Sequence, residues 1–197
     1  MRTIMMTAAV AATLLFTACG SSKQTATAQQ SKAPFGKTYQ LPCAVYDTDE
    51  VFAATGIYRG SSYQKGECQL NALENAKQQV YAKYHHACEG MISNYGGSIG
   101  NNRGNDISTK MNRATDQIVK VVLNDIQACC IEFGEVQDDG HIECYVGIKV
   151  PKKALAEQTA KAVADILTPE EKNQIGFEEY KYRKDMEERM QKYREQK

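Results

Sequence analysis

The sequence predicts an α+β fold: a small antiparallel sheet packed by two or three helices, with a projecting C-terminal helix. Three observations carry this. Residues 67–88, ECQLNALENAKQQVYAKYHHAC, place apolar side chains at helical spacing. Residues 127–150, QACCIEFGEVQDDGHIECYVGIKV, surround Asp139-Gly140, a dipeptide suited to a tight hairpin turn. The last 29 residues hold 16 charged side chains, the composition of a salt-bridged helix.

The elements follow in chain order. Residues 1–18 have the layout of an export signal, with Arg2 ahead of a thirteen-residue apolar run, Ile4 to Phe16. That run is too short for a spanning helix, which needs about 20 residues. Phe16-Thr17-Ala18-Cys19 looks like the lipobox of bacterial lipoproteins, in which the cysteine receives a diacylglyceryl group. Phe16 stands where Leu is usual, with Leu15 beside it. On this reading Cys19 is the lipidated first residue of the mature chain, and its acyl chains form the membrane contact. Gly20 is not the aspartate that retains lipoproteins in the inner membrane of enteric bacteria. The expected location is therefore the outer membrane, facing the periplasm.

Residues 19–38 form a tether rich in Ser, Thr, Gln and Ala, too poor in bulky groups to order itself. Residues 39–168 form the expected domain, and 169–197 the charged helix. Residues 51–59, VFAATGIYR, read as a strand. On the helix at 67–88, Ala72, Leu73, Ala76, Val80 and Tyr84 make one stripe, with Glu74, Lys77, Gln78 and Lys83 off it. Gly90 ends that helix. MISNY, 91–95, reads as a short strand, and GGSIGNNRGND as a loop; it lacks the lysine of a phosphate-binding loop.

From Asp106 or Ser108 to about Asn124 a second helix is expected, lined by Met111, Ala114, Ile118 and Val121 or Val122. A strand for IVKVVL competes with it. In the hairpin, a two-residue turn sets Ile131 opposite Ile148, Phe133 opposite Val146 and Glu135 opposite Cys144. Cys129 then shares a face with Ile131 and Phe133 while Cys130 points away, and Gly134 suits a bulge. After Pro151, residues 152–167 are amphipathic. Thr168-Pro169-Glu170-Glu171 forms a capping box. Tyr182, Met186, Met190 and Tyr193 leave a thin apolar seam, fit to dock on the domain, on another envelope protein or on a second copy.

At this point NALENAKQQVYAKY, the helix leading into VLNDIQACCIEFGEV, and DDGHIECYVGIKVP together resemble the LPP-twenty lipoprotein family. The resemblance covers about residues 50–155. It implies a small α/β domain with helices packed on an antiparallel sheet, and it brings no catalytic residues.

Composition bounds the function. The chain holds 24 basic and 24 acidic residues. A balance this even lacks the basic footprint of a nucleic-acid binder. Once Cys19 is lipidated, Cys43, Cys68, Cys88, Cys129, Cys130 and Cys144 remain as candidates for disulfides, with fifteen complete pairings open. His85, His86 and Cys88, with Cys129, Cys130, His141 and Cys144, are the only residues of the metal or thiol-catalysis type that gather. Their spacing lacks the short paired ligands of structural zinc sites, and nothing marks an activated thiolate. No metal, cofactor or catalytic residue is expected. The expected function is a non-enzymatic, lipid-anchored envelope role of structural or protein-interaction type. A periplasmic carrier of a small apolar ligand, held between sheet and helices, is the alternative. A thiol or zinc enzyme comes third.

Overall fold

The structure, a computed structural model, describes residues 40–96 and 102–193. The leader, Cys19, the tether and residues 97–101 lie outside the described residues. The described remainder of the expected glycine-rich loop is helical, with Gly96 ending one helix and Asn102 to Asp106 beginning the next, ahead of the start expected at Asp106 or Ser108. The rest is α+β, as expected. Strand β1 (Val51–Ser61) is followed by helices α1 (Lys65–Cys88), α2 (Met91–Gly96) and α3 (Asn102–Asp125). The hairpin strands β2 (Cys130–Phe133) and β3 (His141–Pro151) come next, then α4 (Lys152–Ile166), α5 (Pro169–Ile175) and α6 (Glu179–Lys192). The sheet is antiparallel in the order β1-β3-β2.

Strand alternation gives the sheet two faces. Phe52, Ala54, Gly56, Tyr58 and Gly60 of β1 share one with Ile142, Cys144, Val146, Ile148 and Val150 of β3. Helix α1 lies on this face with Cys68, Ala72, Ala76, Val80 and Tyr84, all buried and four residues apart. The approach is direct. A Cβ on Gly56 would come 1.9 Å from the Ala72 carbonyl oxygen and 2.5 Å from the Ala76 nitrogen. A Cβ on Gly60 would come 2.5 Å from Cys68 Sγ. Small residues on both elements thus let a helix backbone rest on a strand backbone.

Behind this layer, α4 packs between α3 and α6, and α6 and α3 both touch α1. The seam Tyr182, Met186 and Met190 is fully buried there. The C-terminal region therefore does not project. It is two helices, broken where Gly176 takes φ 60° after α5, and α6 docks on the domain. The Thr168 capping box at the start of α5 is present as expected.

Other corrections are local. MISNY is helical: it lies in α2, against α3 and under Tyr182. Helix α3 wins over the strand alternative, but its buried stripe runs through Ile107, Met111, Thr115, Val119 and Leu123. Of the expected stripe, Met111 and Ala114 are buried and Val122 packs against the core, while Val121 is 52% exposed and Ile118 half-buried, so the second half of the face is turned by about one residue. In the hairpin, Gln137 N donates to His141 O and Gly140 N to Gln137 O. With Gly140 at φ 76°, this is a three-residue loop in place of the two-residue turn. One further residue is accommodated between Gly134 and Gln137. The register moves with it, pairing Ile131 with Val146 and Phe133 with Cys144. The shift is even, so the predicted faces survive. Lys83, assigned to the solvent side, is buried.

Replacing Gly56 by Ala tests the close approach. The added methyl has no room against helix backbone, so a loss of about 3 kcal/mol or more is expected, at the top of the range for overpacked cores. Urea unfolding at unchanged m-value measures it; a loss under about 1 kcal/mol would mean that α1 stands off the sheet.

Candidate functional site

The second face of the sheet is crossed by the segment 40–50. Cys43 forms a disulfide with Cys130 of β2. Its carbonyl accepts from Thr55 Oγ1 at 2.8 Å, and Thr55 Oγ1 accepts from Val45 N at 3.2 Å. Gly147 leaves room beneath: a Cβ there would stand 3.0 Å from the Cys43 carbonyl oxygen and 3.2 Å from Val45 Cγ1. Farther along, Asp47 Oδ1 accepts from Ala53 N at 2.7 Å. Lys152 Nζ, buried at the start of α4, donates to Thr48 O at 2.7 Å and stands 4.6 Å from the Phe52 ring centroid.

The two outer strands end the sheet differently. Along the free edge of β1, Asn75 Nδ2 donates to Ile57 O at 2.9 Å, Gln79 Nε2 to Thr55 O at 3.1 Å and Lys83 Nζ to Ala53 O at 2.7 Å. These donors sit four residues apart on α1, so one helix face supplies one ladder of carbonyls. Lys83 Nζ also meets Asp47 Oδ2 at 2.9 Å, with both side chains nearly buried. Along β2, Cys130 and Glu132 turn their backbone groups to β3, while Ile131 and Phe133 turn theirs outward. Among the described residues no side chain caps this second edge. The edge ladder was not read from the sequence, although Asn75, Gln79 and Lys83 at i, i+4 and i+8 were its available signal.

The cysteines fall into separate places. Cys68 and Cys144 are buried free thiols between α1 and β3. Burial pushes the Cys144 thiol up, and neighbouring Cys68 adds to this. Cys88 lies at the junction of α1 and α6, where burial pushes its thiol up to about 12 against smaller opposing effects of the Tyr84 hydroxyl and Arg189. Cys129 is exposed just before β2, its Sγ 3.2 Å from the carbonyl oxygen of Gly147, the residue that Cys130 pairs with. Cys19 lies outside the described residues.

The metal or thiol grouping does not assemble. His85 Nε2 pairs with Asp116 Oδ1 at 3.1 Å and lines a cleft of about 470 Å³ with His86, Cys88, Ser93, Asn112 and Thr115. His141 sits at the hairpin turn beside Asp139, near the opposite end of α1. At 1.5 Å per residue, the helix from Cys68 to His85 separates the two ends by about 25 Å. Cys43, Cys130 and Glu132 bring ligand-type atoms within 4.8 Å, but the two sulfurs are bonded to each other. In the cleft, the un-ionised Cys88 thiol is a poor nucleophile.

Lys83→Met leaves Asp47 buried without its cation and should cost about 3–5 kcal/mol, while adding Asp47→Leu should cost less than the two single losses combined. Denaturant unfolding of the three variants reads the coupling. The Cys88 thiol is raised in the folded state, so its contribution to stability is complete below about 9 and is lost as pH rises from there toward 12. Folded-state thiol labelling at pH 8 should modify Cys129 first and leave Cys68, Cys88 and Cys144 protected; fast labelling of Cys88 would contradict its placement.

No family model matches the chain, and no curated protein or solved structure matches it either.

Proposed function

We propose that this chain is a lipid-anchored lipoprotein of the outer membrane, facing the periplasm, whose α+β domain is non-catalytic and makes contacts with other envelope proteins. The observation that carries the reading is the Cys43–Cys130 disulfide. Such bonds persist in oxidising compartments, which is where the leader and the lipobox cysteine Cys19 would deliver the chain. The likeness to the LPP-twenty lipoproteins points the same way. The titratable groups of the helical junction are pushed toward their neutral forms by burial, as in a packed core: Tyr84, Cys88 and Tyr182 all move upward.

The carrier alternative places an apolar ligand between sheet and helices. The contact of Gly56 with the α1 backbone fills that space where the two layers meet.

Cys19→Ala decides the anchoring. The wild type is expected to carry acyl mass and to partition with outer-membrane fractions, and the variant to be released in soluble form. A variant that stays with the membrane, beside a wild type without acyl mass, would sink the proposal.

A further inference from the structure

We propose that the open edge of β2 is a docking site for an extended segment of a partner protein, added as a fourth strand and carrying an apolar–basic–apolar triplet. The inference rests on the interaction role proposed above and names its surface.

The first support is the contrast between the two edges. An uncapped edge strand is a template for pairing, and proteins commonly blunt it. Here β1 is blunted by Asn75, Gln79 and Lys83. Strand β2 presents the outward N–H and C=O of Ile131 and Phe133, with no partner among the described residues. Strand addition at such an edge draws affinity from main-chain bonds and specificity from alternate side chains.

The side chains state the specificity. Ile131 is 41% exposed and Phe133 38%, and both stand on the helix-bearing face, where Lys65 Nζ lies 5.7 Å from the Phe133 ring centroid. Val136, just beyond, is 58% exposed. Glu132 alone of the three points to the other face, beside Glu143 and Tyr145, which hydrogen-bond each other. A fourth strand must therefore bring apolar side chains opposite Ile131 and Phe133, and a cation between them opposite Glu132.

A second copy is the wrong occupant. Two β2 strands paired about a two-fold axis, with Ile131 of each bonded to Phe133 of the other, set Glu132 directly against its symmetry mate. Like charges directly opposite are destabilising. Registers shifted by two residues engage only one of the two outward residues. The sequence Ile131-Glu132-Phe133 is thus complementary to a basic-centred strand and opposed to itself.

The test uses the full mature chain in detergent and two synthetic extended decapeptides, one centred on Val-Lys-Val and the other on Val-Glu-Val. The lysine peptide should bind more tightly by about fivefold or more, perturbing the amide resonances of Ile131 and Phe133. Ile131→Pro deletes an outward donor without touching a bond to β3 and should weaken binding about fivefold. Glu132→Lys should invert the preference between the peptides, and it keeps the test alive if the proline variant fails to fold. Equal binding of both peptides, binding of neither, or an unchanged preference in Glu132→Lys overturns the proposal. So does concentration-dependent dimerisation that protects the Ile131 and Phe133 amides. Binding in detergent is read independently of where the anchor sends the chain, so a failure of Cys19 lipidation and a failure of the edge are told apart.

Discussion

The seating of α1 directly on β1 is the constraint on which the rest of the domain depends. Gly56 and Gly60 remove side chains from the strand, and Ala72, Ala76 and Cys68 keep those of the helix small. The two backbones meet without an intervening layer. That closeness brings Asn75, Gln79 and Lys83 within reach of the carbonyls of Ile57, Thr55 and Ala53. A bulkier contact would lift the helix, and the same side chains would then have to find water. Packing and edge protection are therefore one event. It also explains an alanine-rich helix in a chain with no Trp and five Phe: the core gains density from proximity more than from large side chains.

Two buried lysines set the second layer of organisation. Lys83 reaches Asp47 and Ala53 O; Lys152 reaches Thr48 O and the face of Phe52. A buried ammonium needs its acceptors in place, so each fixes the segment 40–50 as well as its own helix. Removing the apolar stem of either would also remove packing. Neither role shows in a periodicity argument, which scores lysine as a solvent marker. Lys83 accordingly looks like part of the polar face in the sequence, while its position four residues after Gln79 is what aims it at the strand edge.

Legibility followed the scale of the determining interaction. The α1 stripe, the hairpin and the Thr168 capping box depend on neighbours in sequence, and all were readable. The hairpin register missed by an even step because turn type was decided by Gly140 alone at φ 76° and by an extra residue after Gly134; parity, fixed by which side chains are apolar, survived. MISNY was mistaken for a strand because its helical character comes from burial of Met91 and from Tyr95 packing on Tyr182 and Phe177. The seam of Tyr182, Met186 and Met190 was legible and docking on the domain was one of its expected partners; that α1 and α4 supply the surface, so that α6 packs down instead of projecting, needed the tertiary structure. Of the candidate edge, Ile131, Glu132 and Phe133 were visible as a strand, but which edge stayed open required the strand order.

The disulfide closes the argument about the segment 40–50. That segment carries no regular element, and its hydrogen bonds to Thr55, Ala53 and Lys152 are few. Each of these net bonds is worth about 1 kcal/mol, and the buried Lys83–Asp47 pair holds the later part of the segment, around Asp47, not Cys43. Cys43 and Cys130 are 87 residues apart, and closing a loop of that size restricts the unfolded chain by about 4.6 kcal/mol on the chain-entropy account. The same bond joins the chain's entry into the domain to β2. Cys43 accepts φ 52° there, in a region that L-residues disfavour. The covalent link holds that conformation, and with it the carbonyl that Thr55 grips. A pull transmitted from the N-terminal side would therefore meet Cys130 and the sheet before it reached the bonds of β1, which leaves the α1–β1 contact shielded by the only covalent tie described in the domain.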